Sequence, residues 1–206
     1  MQKASSVQHG RYTIKVMEIN DEWRSAAYLT DAPRGTGCQA QASAPTREEA
    51  ISAAAAILDE KDQELRANWR LDERTGFLVP TPQEYELALK ATGLAEGQIR
   101  MLTANAVAGD AGLTASQLAN AGGYADYSTA NLLYGKAGRA MAERMGWKVP
   151  ASRLRDGEDG PTTVLAAWRP TPEDPAQDGF WIMYPELREA LTKLFDLVPE
   201  QLQPTG

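Results

Sequence analysis

Residues 113–147 read LTASQLANAGGYADYSTANLLYGKAGRAMAERMGW. Thr114-Ala-Ser-Gln117 is a capping box: the threonine hydroxyl accepts from the amide three residues on, and the glutamine side chain reaches back. It predicts a short helix through Ala121. Gly122-Gly123 forces a turn. After Tyr124, Asp126 and Ser128 offer caps for a long helix over about 128–145, with Ala130, Leu133, Ala137 and Met141 as its apolar stripe. A capped short helix, a tight glycine turn and a long helix come in the order of a helix-turn-helix.

The flanks extend this reading. Upstream, Thr81-Pro-Gln-Glu84 puts proline at the first helical position and glutamate at the third. That helix carries Tyr85, Leu87, Ala88 and Leu89 and stops near Gly93. A second helix, around 96–108, presents Ile99, Leu102, Ala106 and Val107, and Gly109 to Gly112 breaks it. Downstream, Thr162–Trp168 is β-rich, Arg169–Asp178 holds three prolines and three acids as a loop, and Gly179–Tyr184 is apolar and aromatic. Pro185 opens a last helix with Leu187, Ala190, Leu191, Leu194 and Phe195 facing inward. The two late strands form a hairpin beside the helices, which makes residues 81–196 a winged-helix-like module. Residues 197–206 read as a frayed tail.

In a winged helix the long helix enters the major groove by its first turns. Tyr127, Ser128, Thr129, Asn131 and Lys136 then face duplex DNA, with Arg139 further along. Asn131 suits an adenine edge, and Lys136 suits guanine or phosphate. Residues 123–148 hold four cations, Lys136, Arg139, Arg144 and Lys148, against Asp126 and Glu143. The expected DNA contacts are Ser128, Thr129, Asn131, Lys136 and Arg139. The competing reading is a helical bundle whose cations only face water.

The same stretch carries a resemblance. Leu113-Thr-Ala-Ser-Gln-Leu-Ala119, Gly123-Tyr124 and Ala130-Asn-Leu-Leu-Tyr-Gly-Lys136 resemble a small module found beside HNH nucleases in bacterial restriction proteins. Phe180-Trp-Ile-Met-Tyr-Pro-Glu-Leu-Arg-Glu-Ala-Leu191 is similar to its ending. The likeness covers about residues 81–196. It implies an accessory role, with the chemistry elsewhere. This chain has one histidine, His9, so an HNH centre and its cleavage chemistry are not carried over.

The N-terminal part reads as a βββα platform over residues 1–66. Arg11–Ile19 alternates, with Tyr12, Ile14 and Val16 on one face. Asn20–Glu22 is a turn, Trp23–Leu29 a second strand, and Pro33, Gly35 and Gly37 mark a loop. Cys38, Ala40 and Ala42 alternate in a third strand. Thr46-Arg-Glu-Glu49 caps a helix to about Arg66, with Ile51, Ala54, Ala55 and Leu58 at core spacing. Gly37-Cys-Gln-Ala-Gln41 followed by Thr46-Arg-Glu-Glu-Ala50 is similar to HicB-type antitoxins, which implies an interaction platform. A looser likeness to double-stranded RNA-binding domains stops at the helix start. That family has a lysine pair there, and Glu48 and Glu49 at this helix N-terminus repel phosphate. Residues 67–80, with Trp69, Leu71 and the charged turn Asp72–Gly76, read as a linker. The fold class is therefore α+β, a three-stranded antiparallel sheet with one helix followed by the helical module and its hairpin.

Composition excludes more than it identifies. The chain has 206 residues, net charge −7, one cysteine and one histidine. At roughly 150 residues per domain this is one domain or two small ones, long enough to bury a core without disulfides or metals. Cys38 has no partner for an internal disulfide, which points to a reducing compartment. His9 falls in a polar leader, Met1–Gly10, read as unstructured, so Ser-His-Asp and Cys-His pairs are not expected. Cys38 reads as a small core residue. Asp59-Glu-Lys61 matches an acid-x-lysine pair but sits on a helix. Gly35-Thr-Gly37 lacks the third glycine of a dinucleotide loop. No catalytic residues, metal site or cofactor are expected. The leader lacks the apolar core of a signal peptide, and the longest apolar run, Ala53–Leu58, is far too short to span a bilayer, so a cytoplasmic protein is expected.

Residues 151–206 carry 5 basic and 10 acidic side chains, a net of −5. That split supports two functions. The first is a non-catalytic protein of a prokaryotic regulatory or phage-defence system that binds duplex DNA or a nucleic-acid-processing complex, with a homodimer possible. The second is a phage-encoded inhibitor of the anti-CRISPR or anti-restriction kind. Its acidic face, Glu158, Asp159, Glu173, Asp174 and Asp178, would occupy a nucleic-acid groove.

Overall fold

The computed structural model describes residues 5–30, 36–152, 158–171 and 179–197. The protein is α+β, and it divides into two units, Met1–Asn68 and Trp69–Gly206.

The first unit is a four-stranded antiparallel sheet in the order β1-β2-β3-β4, with one helix against it. The strands are β1 (Ser5–His9), β2 (Tyr12–Ile19), β3 (Glu22–Leu29) and β4 (Ala40–Ala44), and the helix is α1 (Arg47–Ala67). Asn20 and Asp21 join β2 to β3, both at positive φ (53° and 59°). Two-residue hairpin turns need that conformation to match strand twist, and asparagine and aspartate tolerate it. The expected count of three strands is corrected by β1. Ser5 to His9, read as an unstructured leader, pair with β2 from Ser5↔Val16 to His9↔Tyr12. Only Val7 in that stretch is strongly apolar, so no alternation announced the strand.

Thr46 and Glu49 form the capping box expected at the start of α1. Ala50, Ala54 and Leu58 are buried, and Ala54 and Leu58 pack with Tyr12, Ile14, Ala27 and Ala40 of the sheet. Alanines at 50 and 54 let helix and sheet approach closely enough for the buried Ser25 hydroxyl to donate to the Ala50 carbonyl at 2.8 Å. Cys38 is exposed and lies before β4, which corrects its reading as a core residue; its thiol donates to the Ala40 carbonyl. His9 Nε2 sits 2.8 Å from Asp59 Oδ1. Arg11 and the Tyr12 hydroxyl both donate to Asp62 Oδ1 at 2.6 Å. These contacts tie the strand ends to α1.

In the second unit, residues expected as a linker form a hairpin, β5 (Arg70–Asp72) and β6 (Phe77–Val79). Asp72 accepts from the Arg74 and Thr75 amides at its turn, and Gly76 takes φ 70°. Five helices follow: α2 (Pro82–Ala91), α3 (Glu96–Ala108), α4 (Ala115–Gly122), α5 (Tyr127–Met145) and α6 (Pro185–Phe195). A second antiparallel hairpin, β7 (Ala166–Pro170) with β8 (Gly179–Met183), precedes α6. The segment between α3 and α4 also joins this hairpin. Leu113 and Trp181 exchange both backbone hydrogen bonds, at 3.1 and 2.9 Å.

The core of this unit gathers Tyr85, Met101, Leu102, Leu118, Tyr134, Met141, Leu165, Met183 and Leu187, all fully buried. Three local expectations are corrected. Residues 162–164 belong to a 3₁₀ turn, Pro161–Val164, and the strand starts only at Ala166. The β-branched run Thr162-Thr-Val164 reads as a strand, but the turn is fixed by its packing on α5. Phe195, the last residue of α6, is 41 % exposed. Leu197, placed in a frayed tail, is buried in the core.

Candidate nucleic-acid interface

Helix α4 ends at Gly123, which takes the left-handed conformation (φ 77°) and donates back to Ala119 and Asn120. Three residues later Asp126 caps α5. The turn is held by Tyr124, whose ring fills the space that side chains at Gly97 and Gly122 would need.

The faces of α5 are set by what covers them. Ala130, Tyr134, Ala137, Met141 and Met145 point into the core. Tyr134 is fully buried, and its hydroxyl accepts from Asn105 Nδ2 at 2.7 Å. The Pro161–Val164 turn lies over Gly135 and Gly138. Opposite these, Ser128, Leu132, Lys136, Arg139 and Glu143 are all exposed. Their spacing of four, four, three and four residues makes one outward stripe. Leu132 is 59 % exposed and Tyr127, in the first turn, 61 %.

The five expected DNA contacts have different situations. Ser128 and Thr129 both donate their hydroxyls to the Asp126 carboxylate, at 2.5 and 2.9 Å, and the Thr129 amide donates to it at 2.8 Å. A hydroxyl has one proton, so neither donates to a phosphate while this cap stands. Asn131 is half-buried, and its Oδ1 is buried with no hydrogen-bond partner among the described residues. Helical periodicity puts it on the same side as Tyr134, Gly135 and Gly138, a signal the reading from turn order overlooked. Lys136 is exposed, with no carboxylate partner among the described residues. Arg139 is exposed too, but its Nη1 is 2.9 Å from Asp159 Oδ2. Thus a residue of the expected DNA face pairs with one of the expected acidic face. Twenty positions separate them, and nothing local in the sequence links them.

Of that acidic face, Glu158 and Asp159 are exposed at the base of a short antiparallel bridge, Ala151↔Asp159. Glu173, Asp174 and Asp178 lie outside the described residues. Much of the unit's other positive charge is already paired: Arg70 with Glu186, Arg74 with Asp72, Arg100 with Glu96, Arg188 with Asp110, and Lys90 and Lys193 with Glu86. Among the described residues, no group of three or more histidine, cysteine, aspartate or glutamate side chains is arranged to hold a metal ion. No helix there is long and apolar enough to cross a membrane.

The hydrogen bonds from Ser128 and from the amide and hydroxyl of Thr129 pull the Asp126 carboxyl down to about 2. The sign follows from linkage. A carboxylate whose folded value lies below its unfolded one, near ~3.9, stabilises the fold above that unfolded value and loses the effect as pH falls toward the folded one. Fraying of the first turn of α5 is therefore expected between about pH 4 and 2. An NMR titration of the Asp126 carboxyl carbon with its midpoint near 2 checks this. In Asp126→Asn, Thr129 should keep its amide protection throughout the range.

Comparison of the chain with protein-family models, with curated proteins and with solved structures finds no match.

Proposed function

We propose that residues 81–196 form a winged-helix-like module that binds duplex DNA without catalysing a reaction, with the outward stripe of α5 as the contact. The observation that carries this reading is the position of the stripe. It runs along the solvent side of the second helix of a short-turn pair and carries Lys136 and Arg139 at its centre. The order of elements supports the winged-helix part: α3, the Leu113 bridge, α4, α5, then β7 and β8, with Leu113 pairing to β8. Such an order lays a small sheet beside the reading helix.

Backbone phosphate provides most of the affinity of such modules, so binding should be weak and strongly salt-dependent. Lys136 is the principal cation, because its ammonium has no internal carboxylate partner among the described residues. Titrating the full chain into a short fluorescein-labelled duplex of mixed sequence, between about 50 and 200 mM salt, tests this. Lys136→Glu should weaken binding about tenfold at low salt and reduce the slope of log affinity against log salt by about 0.9, the value for one phosphate contact. Absence of binding at low salt, or an unchanged slope in the variant, overturns the reading. The setting it fits is a prokaryotic regulatory or defence system, in which the module would recruit DNA to a partner that carries the chemistry. The inhibitor reading draws support from Glu158 and Asp159 alone among the described residues, and Asp159 is engaged by Arg139.

A further inference from the structure

The Arg139–Asp159 pair has a built geometry. Ser152 N donates to the Glu158 carbonyl and Gly160 N to the Pro150 carbonyl, both at 2.7 Å, so the backbone at Asp159 is fixed to the segment at Ala151. Two residues on, Pro161 is seated against Gly135 and Gly138 of α5, with no room even for a methyl group at Gly138. The Asp159 carboxylate is therefore delivered to the edge of the outward stripe by backbone, and not by a long flexible side chain.

There it takes a guanidinium nitrogen of Arg139. Carboxylate and phosphate oxygens use the same guanidinium donors. Both side chains remain about half-exposed, 47 % and 54 %. An ion pair in that position is weak and open to exchange. Glu143, the other acid on the stripe, lies one turn along α5 from Arg139, and Lys136 lies three residues before it.

We propose that Asp159 is an intramolecular stand-in for a DNA phosphate. It competes with phosphate for Arg139 and so sets the module's affinity below what its cations alone would give. This rests on the DNA-binding reading above. Binding then proceeds by exchange: a phosphate oxygen replaces the Asp159 carboxylate on Arg139, and the carboxylate is released to water.

The test is the same titration on the full chain with Asp159→Asn, Arg139→Gln and the double variant. Asp159→Asn should bind about two- to fivefold tighter at low salt, the range expected on losing one exposed ion pair, with the slope unchanged, because Arg139 meets one phosphate in both proteins. Arg139→Gln should weaken binding and reduce the slope by about 0.9, because it removes the one phosphate contact that Arg139 makes. In the double variant the gain should vanish. Glu158→Gln, next door, should leave the slope as it is. Two outcomes overturn the latch while leaving the DNA reading in place: Asp159→Asn binding like the parent, or its gain surviving in the double variant, which would reflect removed negative charge alone. If no variant binds duplex at low salt, latch and DNA reading fail together. A fall in the urea midpoint of Asp159→Asn with no change in affinity assigns the pair a purely structural role and overturns the latch.

Discussion

Gly138→Ala is expected to destabilise the second unit by about 2–3 kcal/mol, against the sign that helix propensity gives. In the interior of an exposed helix, alanine is favoured over glycine by about 1 kcal/mol. Position 138 is in the middle of α5 and has ordinary helical backbone, so propensity alone predicts a gain. Packing reverses it. A Cβ at Gly138 would lie 2.0 Å from the Pro161 carbonyl oxygen and 3.0 Å from its carbon. That oxygen belongs to backbone, so no rotamer change relieves the clash. Either the Pro161–Val164 turn lifts off α5 or the helix shifts, and Val164 and Leu165, both fully buried, would lose core contacts. Gly135→Ala is the internal control. Its Cβ would come 3.3 Å from the Pro161 ring, which needs an adjustment of only a few tenths of an ångström. It should fall within about 1 kcal/mol of the parent. Urea unfolding followed by tryptophan fluorescence reads this unit, since Trp69, Trp147, Trp168 and Trp181 belong to it and only Trp23 to the other. Equal midpoints for the two variants would mean that the turn does not press on α5.

Where helices begin was legible because the signals are local. The Thr46, Thr81 and Thr114 boxes each form as their spacing predicts, and Asp126 caps α5. A hydroxyl and an amide three residues apart find one another whatever the rest of the chain does. The paired partners of distant segments carry no such signature. β1 forms because β2 has a free edge to pair with, and Ser5–His9 has no pattern of its own to reveal that. The Leu113–Trp181 bridge joins residues 68 positions apart. At the candidate interface the outward exposure of Lys136 and Arg139 followed from periodicity. What occupies Arg139 did not, because Asp159 is held beside it by the Ala151↔Asp159 bridge, and twenty positions separate the pair. The half-burial of Asn131 was legible in principle, since 131, 134, 135 and 138 fall on one arc of a helix. The two glycines of that arc were the missed sign that another backbone lies against it.

Glu84→Ala is the second large effect, about 2–4 kcal/mol, and it arises from a buried carboxylate held by neutral donors. Glu84 is 5 % exposed. One of its oxygens, Oε2, accepts from Trp69 Nε1 at 2.8 Å, from the Thr81 hydroxyl at 2.9 Å and from the Thr81 amide at 3.2 Å. It thus closes the capping box of α2 and anchors the indole that packs edge-on against Trp147, with ring centroids 5.5 Å apart. Alanine removes the cap, a loss of about 1 kcal/mol, and also strands the indole N–H away from water, a further 1–3 kcal/mol or so. Two comparisons separate these parts. Thr81→Ala removes only the cap and should show about 1 kcal/mol. Trp69→Phe removes the orphaned donor, so adding Glu84→Ala on that background should do much less than on the parent, with a coupling of about 1 kcal/mol or more. Glu84→Gln keeps an acceptor oxygen in place but introduces an amide with donors of its own into the same buried space. It should lie between the parent and alanine. Urea midpoints of the five variants check the order. If Glu84→Ala proves no worse than Thr81→Ala, the indole bond contributes nothing and the residue serves α2 alone.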